Sequence, residues 1–216
     1  MPDQNRIGKG FDLLTPIYDA CVYLIFKNTF NDLQHEALSS IGSVENCLII
    51  GGGSGQILRS AIDLNIARQY HYCELSEKMI AKTKNRLSPE ENQLVHFCAD
   101  YNSINQSFDL IVLPFVLDCY PTRVVSEMLS KLKKLSNQKG QVLIIDFNEE
   151  EISGFKPNSI QRLFLKLLYF FFKVVAGIEA TFLPPIYTLC NKADLTLVRT
   201  WSRKKGWIRA SLWTQD

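Results

Sequence analysis

The feature that most constrains this chain is the apolar run Cys47-Leu48-Ile49-Ile50 leading directly into Gly51-Gly52-Gly53-Ser54-Gly55. A short continuous apolar run bounded by turn residues is what a strand covered on both faces of a parallel sheet requires. The glycines behind it allow a sharp backbone turn. They also let a ligand approach the amino end of the next helix, expected over Gln56 to Leu64. Strand, tight loop and helix thus open the core, and a polar or anionic ligand belongs at the loop.

The same unit recurs along the chain. Residues 70–75 read as a strand, 76–86 as a helix with Ser76 as its N-cap, and 94–99 and 108–115 as strands. Residues 124–135 then read as a helix and 141–147 as a strand. Strands alternating with helices predict an α/β fold, a doubly wound Rossmann-like sheet with right-handed crossovers. Residues 1–43 are expected to form an N-terminal helical cap. Its apolar positions run at helical spacing from Tyr18 to Leu33, and Pro16 breaks it into a short helix and a longer one. Residues 44–147 form the expected cofactor-binding core. Beyond it, Glu149 to Ala180 is acidic and then strongly hydrophobic, and Pro184-Pro185 precedes a short helix. Leu195–Trp201 and Trp207–Trp213 read as a closing β-hairpin. With 216 residues and 46% hydrophobic content, a single domain is expected.

Three ligand classes compete for the glycine loop. A P-loop needs Lys and Ser or Thr directly after its last glycine, where this chain has Gln56-Ile57. A dinucleotide fingerprint needs a third glycine, and the sixth position is Gln56 or Leu58 depending on register, which weakens a nicotinamide cofactor without removing it. An adenosine-bearing sulfonium, S-adenosylmethionine, needs a carboxylate at the end of the second strand for its ribose. Glu74 stands there, about 20 residues after the loop as in ribose-binding folds, where it can accept two hydroxyl protons. Asp100 closes the third strand, where a carboxylate can meet an adenine amino group. An Asx turn is the competing reading of Asp100.

Taken as a set, LIIGGGSG, CELSEKMIAKTKNRL, FCADY, FDLIVLPFVLDC and GQVLIIDF resemble the successive motifs of class I S-adenosylmethionine-dependent methyltransferases. The resemblance covers about residues 44–147 and implies a seven-stranded sheet with an antiparallel last strand. Carried onto matching positions, it implies a cofactor site of Gly51, Gly52, Gly53, Ser54, Gly55, Glu74, Leu75, Asp100, Tyr101, Leu113 and Pro114. Phe11-DLLTPIYDAC and the region from FFKVVAGIEA onward are similar, more loosely, to small-molecule methyltransferases of the quinone-biosynthesis type. They suggest a small lipophilic acceptor methylated on oxygen or carbon. One departure stands out. The family carries an acidic residue two positions before the first loop glycine, and this chain has Ile49. Asp19 is the candidate replacement near the cofactor's amino group.

Methyl transfer from a sulfonium is an in-line displacement, and positioning alone supplies about 7–11 kcal/mol, so no elaborate catalytic constellation is required. Tyr18 and Asp19 in the cap and Asp118 beyond the fourth strand are the candidate catalytic residues, because both regions should overhang the carboxyl edge of the sheet. The three histidines are scattered, and His71 and His96 are expected to be packed within strands. No metal-ligand cluster is apparent, and no metal is expected. Rival readings are a nicotinamide-dependent oxidoreductase, an RNA methyltransferase and a cofactor-binding protein without activity.

A formal net charge of +2 with dispersed basic residues points away from nucleic acid. The six cysteines lie mostly in apolar runs without a CxxC pair, so they read as inert reduced thiols, and a cytoplasmic location is expected. The segment 163–180 is interrupted by Lys166, Lys173 and Glu179 and is no transmembrane helix. It reads as amphipathic, and residues 163–175 as a core cover or as an acceptor-pocket wall or interfacial lid, through which peripheral membrane contact is expected.

Overall fold

The computed structural model describes residues 4–150 and 158–215. Two helices, α1 (Gln4–Phe26) and α2 (Thr29–Ser39), precede the sheet. The core then runs β1 (Val44–Ile50), α3 (Gln56–Asp63), β2 (Ala67–Cys73), α4 (Glu77–Lys84), α5 (Pro89–Gln93) and β3 (Val95–Cys98). It continues through β4 (Phe108–Pro114), α6 (Thr122–Leu135) and β5 (Ser136–Phe147). Last come α7 (Ser159–Val175), α8 (Ile186–Lys192), β6 (Leu195–Arg203) and β7 (Ile208–Gln215).

The seven strands lie in the order β3-β2-β1-β4-β5-β7-β6. The first five pair in parallel, and β7 inserts antiparallel between β5 and β6. The predicted hairpin therefore supplies the antiparallel strand. The order reverses at β1 and β4, so the glycine loop after β1 opens at the switch point where such sheets bind ligands. Alternate residues of each strand feed two apolar layers. Cys47 and Ile49 face one layer with α2 and α3, and Leu48 and Ile50 face the other with α6 and α8.

Two expectations change. Pro16 lies inside a continuous α1 and does not break it. It removes one donor, the neighbouring Thr15 hydroxyl donates to the Phe11 carbonyl at 3.0 Å, and the helix is held from outside. Ser76 Oγ reaches Asp12 Oδ1 at 2.5 Å, and the Phe11 and Phe172 rings lie 5.8 Å apart. The break falls instead at Lys27, whose φ is 53°. The second change is in the cysteines. Cys73 and Cys98 are register partners on β2 and β3 and form a disulfide, so they are not the reduced thiols expected from the sequence. Cys47, Cys119 and Cys190 are free; Cys21 lies outside the residues whose side chains are described. Residues 151–157 of the acidic approach to α7 lie outside the described residues as well.

Candidate active site

The glycine loop is built by contacts a side chain would prevent. A Cβ on Gly52 would sit 2.4 Å from the Tyr72 ring, and Gly53, with φ at +60°, faces open space beside Tyr18. The Tyr72 hydroxyl donates to the Gly53 carbonyl at 2.9 Å, and the Thr83 hydroxyl donates to the same oxygen at 3.2 Å. Glu74, just past β2 and buried, accepts from Gly53 N–H at 2.9 Å and from Ser76 N–H at 3.0 Å. It ties the glycine loop to the N-cap of α4. Burial pushes its carboxyl up, and the backbone donors pull in the other direction.

A cleft of about 740 Å³ lies along this edge, lined by Gly51, Gly53, Glu74, Leu75, Tyr101 and Tyr120 among others. The predicted Asp100 is not part of that lining. Its carboxylate accepts from Asn102 N–H at 2.8 Å and Asn102 Nδ2 at 2.7 Å, which is the competing Asx-turn reading. Its neighbours Ala99 and Tyr101 face the cleft instead. Leu113 is fully buried in the layer against α6, away from the cleft.

A second groove, about 810 Å³, runs along the opposite side of the loop and is lined by Asp19, Asn31, Gln34, Ser54, Gln56 and Pro114, with Gly52 and Gly53 shared or adjacent. Ser54 Oγ donates to Asp19 Oδ1 at 2.5 Å, while Lys82, at 2.9 Å, and Arg86 pair with Oδ2. Burial raises the Asp19 carboxyl, but the Ser54 hydroxyl and the two cations outweigh it, and the net shift is downward. A carboxylate so held is a poor proton acceptor, and its charge is already matched. Gln34 was not foreseen. It is buried, lines this groove, and its Oε1 has no hydrogen-bond partner. Ile49 is fully buried in the sheet.

The third space is an apolar cavity of about 1340 Å³ under α1 and α7. Its walls include Phe26, Phe30, Phe147, Phe164 and Leu168. Phe30 stacks between Phe26 and Phe115, with ring centroids 4.3 and 4.0 Å away. The cavity shares Phe11, Tyr18, Phe115 and Cys119 with the first cleft, so the two meet at one wall. Phe115 holds a φ of 52°, a conformation bulky residues rarely adopt and one that clusters at functional sites.

Polar groups gather at that junction. Asp118 and Cys119 line the cavity, and Cys119 Sγ donates to Asp118 Oδ1 at 3.5 Å. Asp146, at the end of β5, is buried and accepts from Asp118 N–H at 3.2 Å. Burial raises both carboxyls, and the charge of Asp118 raises Asp146 further. Tyr169 of α7 is buried with its hydroxyl unpartnered, and burial raises it too, as it does Tyr18. Asp146 was not foreseen, and Tyr169 was expected only as part of an aromatic run walling an acceptor pocket. Asp146 sat in a predicted strand end, and Tyr169 in an aromatic run whose orientation the spacing did not fix. The histidines stay apart from the junction. His71 and His96 lie 5.0 Å apart, ring to ring, on β2 and β3.

Residues 48–152 match the family model described as a methyltransferase domain, from β1 through the end of β5. That match covers just under half of the chain, and the chain has the fold shared by the solved methyltransferase structures. Among solved structures, it is similar to the magnesium protoporphyrin IX methyltransferase of Synechocystis PCC 6803 with bound SAH. That match has a TM-score of 0.62 and 16% identity over 88% of this chain and 85% of the other. It is also similar to a mitomycin 7-O-methyltransferase, with a TM-score of 0.67 and 16% identity over 95% of this chain and 60% of that one. An O-methyltransferase family protein from Burkholderia thailandensis gives a TM-score of 0.70 and 13% identity, over 93% and 59%. This chain thus spans about 60% of the length of the last two. No curated protein matches the sequence.

Proposed function

We propose that the chain transfers a methyl group from S-adenosylmethionine to the oxygen or carbon of a small, lipophilic acceptor. The observation that carries this reading is the apolar cavity meeting the glycine-loop cleft at Phe11, Tyr18, Phe115 and Cys119. When bound, the cofactor supplies an electrophilic methyl group on sulfonium. The residues fit it. Glu74 keeps one lone pair on each oxygen for a ribose diol, and Leu75, Tyr101 and Tyr120 offer apolar and aromatic surface for the base. On the other side of the loop, the unpaired Gln34 Oε1 is an acceptor for the cofactor's ammonium where Ile49 offers none. Asp19 then serves to hold Ser54 and the loop in place.

The aromatic walls hold the acceptor and exclude water, which strengthens every polar contact at the junction. Asp118 is the residue placed to take a proton from an acceptor hydroxyl. Asp146 behind it accepts the Asp118 N–H and fixes that turn. Tyr18 and Tyr169 present hydroxyls that orient the acceptor. Calorimetry with S-adenosylmethionine, SAH and NADH tests the cofactor half, and binding of NADH alone would overturn it. A screen of phenols, quinones and fatty acids with labelled cofactor tests the acceptor half, and transfer confined to RNA would overturn that.

We also propose a cytosolic setting, supported by the free Cys47, Cys119 and Cys190 and opposed by the Cys73–Cys98 bridge. Mapping alkylated thiols in freshly lysed cells tests it, and a bridge intact in every molecule would sink it.

A further inference from the structure

Twelve large apolar residues are exposed among the described residues, and nine of them lie on α1 and α7. On α7 they are Ile160, Leu163, Leu167, Phe170, Phe171 and Val174, recurring every three or four residues and so forming one stripe. Leu13 and Leu24 of α1 add to it, Leu24 at 82% exposure, while Tyr23 lines the groove beside Asp19. The two helices pack together through Phe11 and Phe172, so the residues make one two-helix face. A water-facing helix pair does not carry such a surface without something to cover it.

The charges say what covers it. Arg162, Lys166 and Lys173 are exposed on a stripe beside the apolar one, about a quarter-turn round the helix, and α7 contains no acidic residue. Lys9 is exposed on α1. The two carboxylates of α1 are turned inward, Asp12 onto Ser76 and Lys78 N–H, Asp19 onto Ser54, Lys82 and Arg86. An apolar stripe flanked by cations, with carboxylates withdrawn, complements the boundary between acyl chains and anionic headgroups. Among the described residues no helix is long and apolar enough to cross a membrane, so the helices would lie along the surface. The cavity is continuous with this face, because Leu167 and Phe171 are exposed on it and line the cavity wall.

We propose that the joint outer face of α1 and α7 docks on an anionic bilayer surface, and that the apolar cavity takes its acceptor from that bilayer. The second clause rests on the acceptor being lipophilic; the first does not. The full chain is spun with phosphatidylcholine vesicles and with vesicles containing added phosphatidylglycerol. Binding is expected with the second and at least about tenfold weaker with the first, given the favourable contribution of each basic residue at such a surface. The pair Leu163→Asp and Phe170→Asp, both exposed and outside the cavity lining, abolishes vesicle binding and leaves SAH affinity and circular dichroism unchanged. The pair Lys166→Glu and Lys173→Glu removes the preference for phosphatidylglycerol.

Wild-type protein left in the supernatant with both vesicle types overturns the proposal, as does unchanged vesicle binding in the Asp pair. A dimer in sedimentation that the Asp pair dissolves, without vesicle binding, also overturns it and assigns the face to a second copy. Calorimetry with the cofactor is run separately, so failure of the methyltransferase reading and failure of the docking reading are told apart.

Discussion

Glu74 accepts one backbone N–H with each oxygen and so ties the glycine loop to the start of α4, and the proposed ribose contact would use the same two atoms. Glu74→Ala leaves the buried Ser76 N–H unpaired, at about 1–3 kcal/mol, and frees the part-buried Gly53 N–H to the cleft. It is expected to lower both unfolding stability and S-adenosylmethionine affinity, the latter at least about tenfold by calorimetry. Gln34→Leu should behave differently. Its Oε1 has no partner to lose, so cofactor affinity falls while the denaturation midpoint does not. Asp118 gives a pH signature. Its folded-state carboxyl is raised by burial above the unfolded value, so the native state keeps a proton that the unfolded state releases. The Asp118 contribution to stability then falls as pH climbs from the ordinary carboxylate range to the raised value, and the raised Asp146 beside it adds its own decline. Asp118→Asn is therefore expected to melt higher than wild type at pH 8, and by a smaller margin at pH 5. Methyl transfer to hydroxyl acceptors drops about a hundredfold or more, the usual contribution of a general base. Equal margins at both pH values would argue against a buried, raised carboxyl.

At the scale of elements, local signals set where α4 and α5 begin, whereas β2 and β5 start earlier than their apolar runs, at Ala67 and Ser136. Ser76 caps α4 as its sequence position indicates, accepting from Met79 N–H at 3.1 Å. The Ser88-Pro-Glu-Glu91 pattern builds a capping box that starts the short α5, a signal carried by the residues and not read from them. Pro16 misleads because propensity is local, whereas α1 is anchored on α4 and α7 along its length. The β2–β3 disulfide closes a loop of 25 residues, so reduction is expected to cost about 3 kcal/mol in urea denaturation. The variant Cys73→Ala with Cys98→Ala should show the same deficit and no response to reductant. An unchanged wild-type midpoint in reductant would mean the bridge contributes nothing.

For the whole molecule, the cofactor reading predicts that S-adenosylmethionine at a hundred times its dissociation constant stabilises the fold by about 2.7 kcal/mol, with no matching rise for NADH. Differential scanning fluorimetry with both ligands checks this. Such coupling is expected because the binding edge joins β1, β2 and β4, the centre of the sheet, to α1. The order of strands and helices, the glycine loop and the carboxylate after β2 were all decided by local sequence. Each depends on residue spacing within one strand, turn or helix, where backbone geometry leaves few choices. Only the tertiary structure decided that Cys73 meets Cys98, that Lys82 and Arg86 pair with Asp19, and that Asp100 turns onto its own backbone. Only it brought Asp118, Cys119 and Tyr169 to one wall of an aromatic cavity. Those meetings join residues distant in sequence, or depend on which way a side chain turns, and periodicity fixes a face of an element without fixing what the folded chain sets against it.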